Sequence, residues 1–197
     1  MGSRGVLTKR QRQILVGTLL GDGHLELNGR YSRLRIDHQE KQKEYIFWKA
    51  SEFLPFSLSP REVVFGDKRY KKIYKRWHLS TKSLPIFNKY QKMFYRNRVK
   101  IIPENIVELV DNLSLAIWYM DDGFRRRDCK GFYLCTSSFT ENEQRALQKM
   151  LLAKFGLTTK LHHQRKLLRI FIPSASSDRF QNIVAPFILP IFKYKLF

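Results

Sequence analysis

Two nine-residue segments, LVGTLLGDG at 15–23 and LAIWYMDDG at 115–123, are apolar runs that stop on an aspartate followed by glycine. Each reads as a helix that ends in an acid. A helix carries partial negative charge at its C-terminus, so Asp22 and Asp122 stand where an anion is least favoured. Two such endings at matched places suggest a compensating cation, and the reading that follows is a divalent metal site at a pseudo-twofold axis facing a polyanion. The overall balance points the same way: 37 lysines and arginines against 17 acids, a formal charge of +20, favour a nucleic-acid partner.

The rest of the chain repeats around these segments. Thr8 and Gln11 form a capping box ahead of the first helix, and Gly17 and Gly21, four apart, put small residues on one face for close helix packing, with Gly23 as the stop. The segment 24–37 alternates Leu25, Leu27, Leu34 and Ile36 with polar residues on either side of Asn28-Gly29, which predicts a hairpin. An amphipathic helix at 40–54, carrying Tyr45, Ile46, Trp48, Phe53 and Leu54, strands at 61–67 and 73–80 and a helix at 83–95 follow. In the second half, the basic run Arg125-Arg126-Arg127 leads to a strand at 132–136. A helix capped by Thr140 and Glu143 and stopped by Gly156 comes next, then strands at 158–164 and 167–173 and a helix at 175–186. The expectation is an α+β protein of two pseudo-symmetric αββαββα halves, 1–96 and 112–197, joined by a linker at 97–111 that Pro103 breaks.

Cys129 and Cys135 are too few for a disulfide framework and lack zinc-ligand spacing. No apolar stretch approaches the roughly 18 residues that span a bilayer, and residues 1–10 lack the apolar stretch of a signal peptide. A soluble intracellular protein is expected, in an organelle or in bacterial or archaeal cytoplasm, with no membrane partner.

The two motif segments resemble the LAGLIDADG homing endonucleases in their single-chain, two-motif form, and in the second half the run SLAIWYMDDG, the later TSSFT and the terminal YKL are similar to the mitochondrial omega-intron type. The likeness spans essentially the whole chain. It implies a central packed pair of motif helices and, in each half, a curved antiparallel sheet, the two forming a DNA-binding saddle. It implies a monomer that binds a long, roughly two-half-site duplex and leaves short 3′ overhangs. No intein splicing segments are seen, so a free-standing or intron-encoded enzyme is expected.

Phosphodiester hydrolysis needs an activated water, charge stabilisation and help for the leaving oxygen, all within the reach of bound metal. Magnesium, with manganese as its substitute, needs hard oxygen ligands and only one or two carboxylates. Asp22 and Asp122 are similar to the family's metal-binding acids. Gly21 and Asp121, one position earlier in each motif, complete the candidate metal set, Asp121 as a secondary or structural acid. By the same resemblance Lys100 and Lys195 lie near the scissile phosphates, Gln39 orders water, with Ser137 as its counterpart across a gap, and Lys43 lines the solvent pocket.

Side chains alternating with the core are the candidates for DNA reading: His24, Glu26, Asn28, Arg30, Arg33, Arg35 and Asp37 in the first half, and Arg125, Arg127, Lys130, Tyr133 and Cys135 in the second. Arginine and asparagine suit guanine and adenine edges, and acids accept from cytosine. Lys68, Arg69 and Lys71, at a hairpin tip, suit phosphate. The sequence reads as a magnesium-dependent, site-specific double-strand endonuclease. The alternatives are an intron RNA maturase on the same scaffold, or a DNA-binding protein that has lost cleavage.

Overall fold

The computed structural model describes residues 5–67, 72–164 and 167–197. Contacts divide the chain into two compact units, Met1–Gln11 with Asp22–Gln91 and Arg12–Gly21 with Lys92–Phe197. Helix α1 (Lys9–Leu20) passes from the first into the second. Its start is the expected capping box: Thr8 N donates to Gln11 Oε1 at 3.0 Å, and Gln11 N to Thr8 Oγ1 at 3.1 Å.

In the first unit, β1 (His24–Asn28) and β2 (Tyr31–Gln39) form the hairpin that Asn28-Gly29 predicts, with His24 opposite Arg35 and Asn28 opposite Tyr31. β3 (Arg61–Asp67) and β4 (Lys72–Ser80) complete an antiparallel sheet of order β1-β2-β4-β3. Leu25, Leu34, Ile36 and Leu79 turn inward and are buried, as are Tyr45 and Ile46 of α2 (Lys43–Glu52) and Phe87 of α3 (Pro85–Phe94). Leu27 continues the alternation but lies beside the hairpin tip and is 66% exposed, so the core ends short of it. Leu54 likewise falls beyond the end of α2 and is exposed.

The second unit is built on α5 (Asn112–Asp122), every residue of which from Leu113 to Met120 is buried. The part of α1 in this unit packs along it in parallel. Gln13 Nε2 donates to Asp111, the N-cap of α5, and Ser114 Oγ donates to Gln13 O at 3.0 Å. One turn on, a Cβ at Gly17 would lie 2.4 Å from Ser114 O and 2.7 Å from Ile117 Cβ. At the far end a Cβ at Gly21 would lie 2.5 Å from Asp121 Cβ. The two glycines are therefore the close-approach face that their spacing suggests.

Around α5 lie the sheet β7 (Gly123–Arg125), β8 (Phe132–Leu134), β10 (Leu167–Ile172) and β9 (Lys160–Gln164), in that spatial order, and helices α6 (Glu141–Phe155) and α7 (Ser174–Val184). The Thr140–Glu143 capping box starts α6 and Gly156 ends it. Tyr119, Phe132 and Phe180 meet edge-on or tilted at 4.9–5.7 Å between ring centres. Gly123 is a glycine because a Cβ there would lie 1.9 Å from the Tyr119 ring; its backbone is extended, at φ −101°. Gly23 does not take a positive φ either, and α1 already closes at Leu20.

Residues 97–111 are more than a connector. β5 (Tyr95–Arg96) pairs with β6 (Val99–Lys100) across a turn in which Asn97 and Arg98 take φ of 50° and 65°, and a short α4 (Ile106–Leu109) follows. The chain ends in a 3₁₀ turn, Pro190–Lys195, anchored on α5 by the Tyr119 hydroxyl, which donates to Lys195 O at 2.6 Å. Burial, slightly offset by Arg125, raises the Tyr119 pKa far beyond the ordinary tyrosine range. Tyr119→Phe leaves that carbonyl unsatisfied at a cost of about 1–2 kcal/mol, so thermal unfolding is expected roughly 2–8 °C lower.

Candidate active site and nucleic-acid face

The acids do end their helices. The last α1 bond runs from Gly21 N to Gly17 O at 3.1 Å and Asp22 follows directly, while α5 ends on Asp121 and Asp122. Each helix end also meets a lysine. Lys100, carried by the β5–β6 hairpin, donates from Nζ to Gly21 O at 3.1 Å. Lys195 donates to Met120 O at 2.7 Å and to Tyr119 O at 3.3 Å. The duplicated lysines thus do the same thing one residue apart: they satisfy terminal carbonyls and place positive charge at the negative end of the helix dipole. Lys195 is only 7% exposed and lies 5.1 Å from the Phe192 ring centre, so its ammonium is held in one place.

The acids suit a hard divalent cation. They are carboxylates at dipole ends that favour a cation, and the Asp22 side chain is 35% exposed. Asp121 and Asp122 are half-buried. The Gly21 carbonyl, bonded to Lys100, retains a second lone pair. Behind Asp22, in the first unit, is a residue that sequence reasoning passed over: His38 is buried, with Nδ1 3.6 Å from Asp22 Oδ2. Its ring lies 5.0 Å from Tyr45, over which the fully buried Lys49 sets its Nζ at 4.4 Å. A histidine and a lysine at inward positions of an apolar pattern read as core, which is how both escaped notice.

Gln39 is exposed at the end of β2, where it lines an open cleft of about 540 Å³ with Asp37, Tyr74 and Arg76. Lys43 turns onto Trp77, its Nζ 4.5 Å from the ring centre. Ser137 is exposed in the turn after β8.

On the outer face of the first sheet, His24, Glu26, Arg33, Arg35 and Asp37 stand together, as alternation predicts. The two acids do not wait for cytosine. Glu26 Oε2 accepts from Arg35 Nη1 at 2.8 Å, and Glu26 Oε1 accepts from Arg33. Burial pushes the Glu26 pKa up, but hydrogen bonds and charge from Arg35 and Arg33 outweigh it and leave the pKa lowered. Asp37 pairs with His78 at 3.1 Å and with Arg76 at 3.7 Å, both contributed by β4 and both missed in the sequence. Asn28 donates to Ser83 Oγ at 2.9 Å, and the Arg30 guanidinium lies 5.7 Å from the Tyr31 ring centre. Lys68, Arg69 and Lys71 lie outside the described residues.

The second sheet differs from expectation. Phe124 pairs with Tyr133, and Arg125 with Phe132. Arg125 therefore shares the inward face of Phe132; its Nε donates to Tyr194 O at 3.0 Å and its guanidinium lies 5.2 Å from the Phe197 ring centre. Lys130 is drawn to Asp178 of α7 at 2.6 Å. Arg127 is exposed beside Phe124, Tyr194 and Lys195, and the Cys135 amide donates to Asp122 O at 2.9 Å. The outer face instead carries Phe124, Tyr133, Phe171 and His162, with Arg126 above Tyr133 and Phe171 and Arg169 above Phe124. A one-residue shift of register moves every side chain to the other face, and in a run of three arginines only the pairing partner tells which one faces out.

An α+β chain written twice, with an acid at the end of each repeat's first helix and arginine-bearing antiparallel sheets, defines a class of nucleic-acid enzyme. Residues 12–180 match the LAGLIDADG DNA endonuclease family, and the chain belongs to that family. It is similar to DNA endonuclease I-ChuI of Chlamydomonas applanata, 30% identical over an alignment covering 96% of this chain and 95% of that protein. It is also similar to cytochrome b mRNA maturase bI2 of Debaryomyces hansenii, 28% identical over 96% of this chain and 74% of that one. Among solved structures, the homing endonuclease I-WcaI bound to its DNA recognition sequence matches with a TM-score of 0.91 and 28% identity, covering 98% of this chain and 88% of that one. No helix among the described residues is long and apolar enough to cross a membrane.

Proposed function

We propose that this protein is a monomeric, site-specific homing endonuclease that cuts both strands of duplex DNA with magnesium or manganese and leaves short 3′ overhangs. The observation that carries the proposal is the duplicated helix ending, an acid following carbonyls that a lysine satisfies, once at Gly21–Asp22 with Lys100 and once at Asp121–Asp122 with Lys195. Asp22 and Asp122 would be the metal-binding acids, with Asp121 and the Gly21 carbonyl as further ligand candidates. When bound, the metal supplies Lewis-acid stabilisation and a more acidic water. The chain's own share is positional. Lys100 and Lys195 keep a cation at each helix end to offset charge developing on the phosphate, and Gln39 orients water from the rim of its cleft. Outward arginines of both sheets take the phosphates and base edges.

A library of plasmids carrying random inserts tests the chemistry: linear product is expected with magnesium or manganese and none with EDTA. Cutting that persists in EDTA contradicts the metal assignment. Binding is expected to weaken by on the order of 10³-fold or more between about 50 and 200 mM salt if six or more phosphates are neutralised. A flat titration would remove the phosphate-dominated interface. The maturase relative supports a second reading, an RNA-binding splicing cofactor, in which cleavage acids have no part; splicing help that survives loss of both acids would favour it.

A further inference from the structure

The second sheet carries an arginine held on several sides. Arg126 Nε donates to Asp128 Oδ1 at 2.8 Å, its Nη2 donates to Asp128 Oδ2, and its Nη1 reaches the Tyr133 hydroxyl at 3.4 Å. The guanidinium carbon sits 5.5 Å from the Phe171 ring centre and 5.9 Å from that of Tyr133. That aromatic floor is itself fixed. Tyr133 and Phe171 are each 8% exposed, Phe124 stacks on Tyr133 at 5.1 Å, His162 stacks on Phe171 at 4.4 Å, and the Tyr133 hydroxyl meets His162 Nδ1 at 3.1 Å. The Arg126 backbone is tied too, its N–H donating to Gly131 O at 2.8 Å.

We propose that Arg126 is the guanine-reading residue of the half-site served by this sheet, with Asp128 as its positioning acid. The proposal rests on the reading that the outer sheet faces meet the DNA major groove. Guanine presents O6 and N7 as paired acceptors there, and the planar guanidinium matches them with two parallel N–H bonds. A carboxylate on the Nε–Nη2 edge takes one Nη2 hydrogen and the Tyr133 hydroxyl one Nη1 hydrogen, so each of the two nitrogens keeps a second N–H to offer a base. Holding the group on a buried aromatic floor removes rotamer entropy that binding would otherwise have to overcome. The side chain is 29% exposed and borders an open cleft of about 490 Å³ with Arg127 and His163, so it is ordered without being closed off. Surface ion pairs of this kind add little to stability, so a gain in fold stability is a weak explanation for so complete a cradle.

Selection from a randomised duplex pool, with metal chelated so that binding is read without cleavage, tests this on wild type, Arg126→Lys, Asp128→Asn and Asp128→Glu. Wild type is expected to enrich a motif with one guanine preferred about ten-fold or more in one half-site. Arg126→Lys, which keeps the charge and replaces the planar fork by a single flexible ammonium, lowers that preference several-fold and leaves the other half-site unchanged. Asp128→Asn weakens the same position, and Asp128→Glu restores part of it. Replacing the guanine by 7-deazaguanine lowers wild-type affinity several-fold and that of Arg126→Lys by less. An unchanged base preference in both Arg126→Lys and Asp128→Asn overturns the proposal. So does an affinity loss spread evenly over all sequences, which marks a phosphate contact instead. A wild-type protein that enriches no motif overturns the DNA reading of the sheet, and this proposal with it, and is told apart from the other failures by the wild-type arm alone.

Discussion

Asp22→Asn or Asp122→Asn is expected to abolish double-strand cleavage, a loss on the order of 10³-fold or more, while binding to the same duplex stays within a few-fold. Asparagine keeps the shape and one acceptor oxygen but removes the negative charge that a divalent cation requires. The same change relieves an anion at the negative end of a helix dipole, a misplacement worth about 0.3–1 kcal/mol. Each variant should therefore melt at or slightly above the wild-type temperature. That pairing separates the roles: a functional acid loses activity and no stability, a structural one loses stability. Plasmid linearisation measured beside thermal unfolding reads both, and variants that cut normally in magnesium would show the assigned site to be wrong.

Gly17→Leu carries the largest expected stability effect. The position has no room for a Cβ: it would lie 2.4 Å from the Ser114 carbonyl and 2.7 Å from Ile117 Cβ, both on a fully buried stretch of α5. Neither a backbone carbonyl nor a β-branched Cβ can swing aside, so α1 has to move off α5. Overpacking a core costs typically 1–3 kcal/mol, and here the strain adds to loss of the Ser114 Oγ to Gln13 O bond. A drop of about 3 kcal/mol lowers the melting temperature of a chain this long by roughly 6–12 °C. Cleavage should fall further than folded fraction accounts for, because the displaced helix end is the one that meets Lys100. A melting temperature unchanged within 2 °C would mean that the helices do not pack at Gly17.

Elements and order were legible because each carries a local signal. The capping pairs Thr8–Gln11 and Thr140–Glu143, the Asn28-Gly29 turn and the period-two strands depend on neighbours only a few residues away. The helix-pair glycines were legible from their spacing of four, and Asp22 and Asp122 because the acid-glycine ending occurs twice. What the sequence hid depends on partners far along the chain. The β5–β6 hairpin turns through Asn97 and Arg98 in left-handed backbone with no glycine to announce it. Arg125 and Arg126 fall on opposite faces because Phe124 pairs with Tyr133 and Arg125 with Phe132, and that register is set by the turn between β7 and β8. Glu26 and Asp37 look like base readers until Arg33, Arg35, Arg76 and His78 are seen to occupy them. His38 and Lys49 look like errors in an apolar pattern until His38 is found beside Asp22.

The proposed function stands on Asp22 and Asp122 as the acids of metal-dependent, sequence-selective cutting. Sequencing the ends released when wild type and the Asp22→Asn/Asp122→Asn double variant act on the random-insert library in magnesium tests it most directly. Wild type should release ends that share one long motif with two unlike half-sites and short 3′ overhangs, and the double variant should release none above background. Ends without a common motif, or the same ends from both proteins, would contradict it.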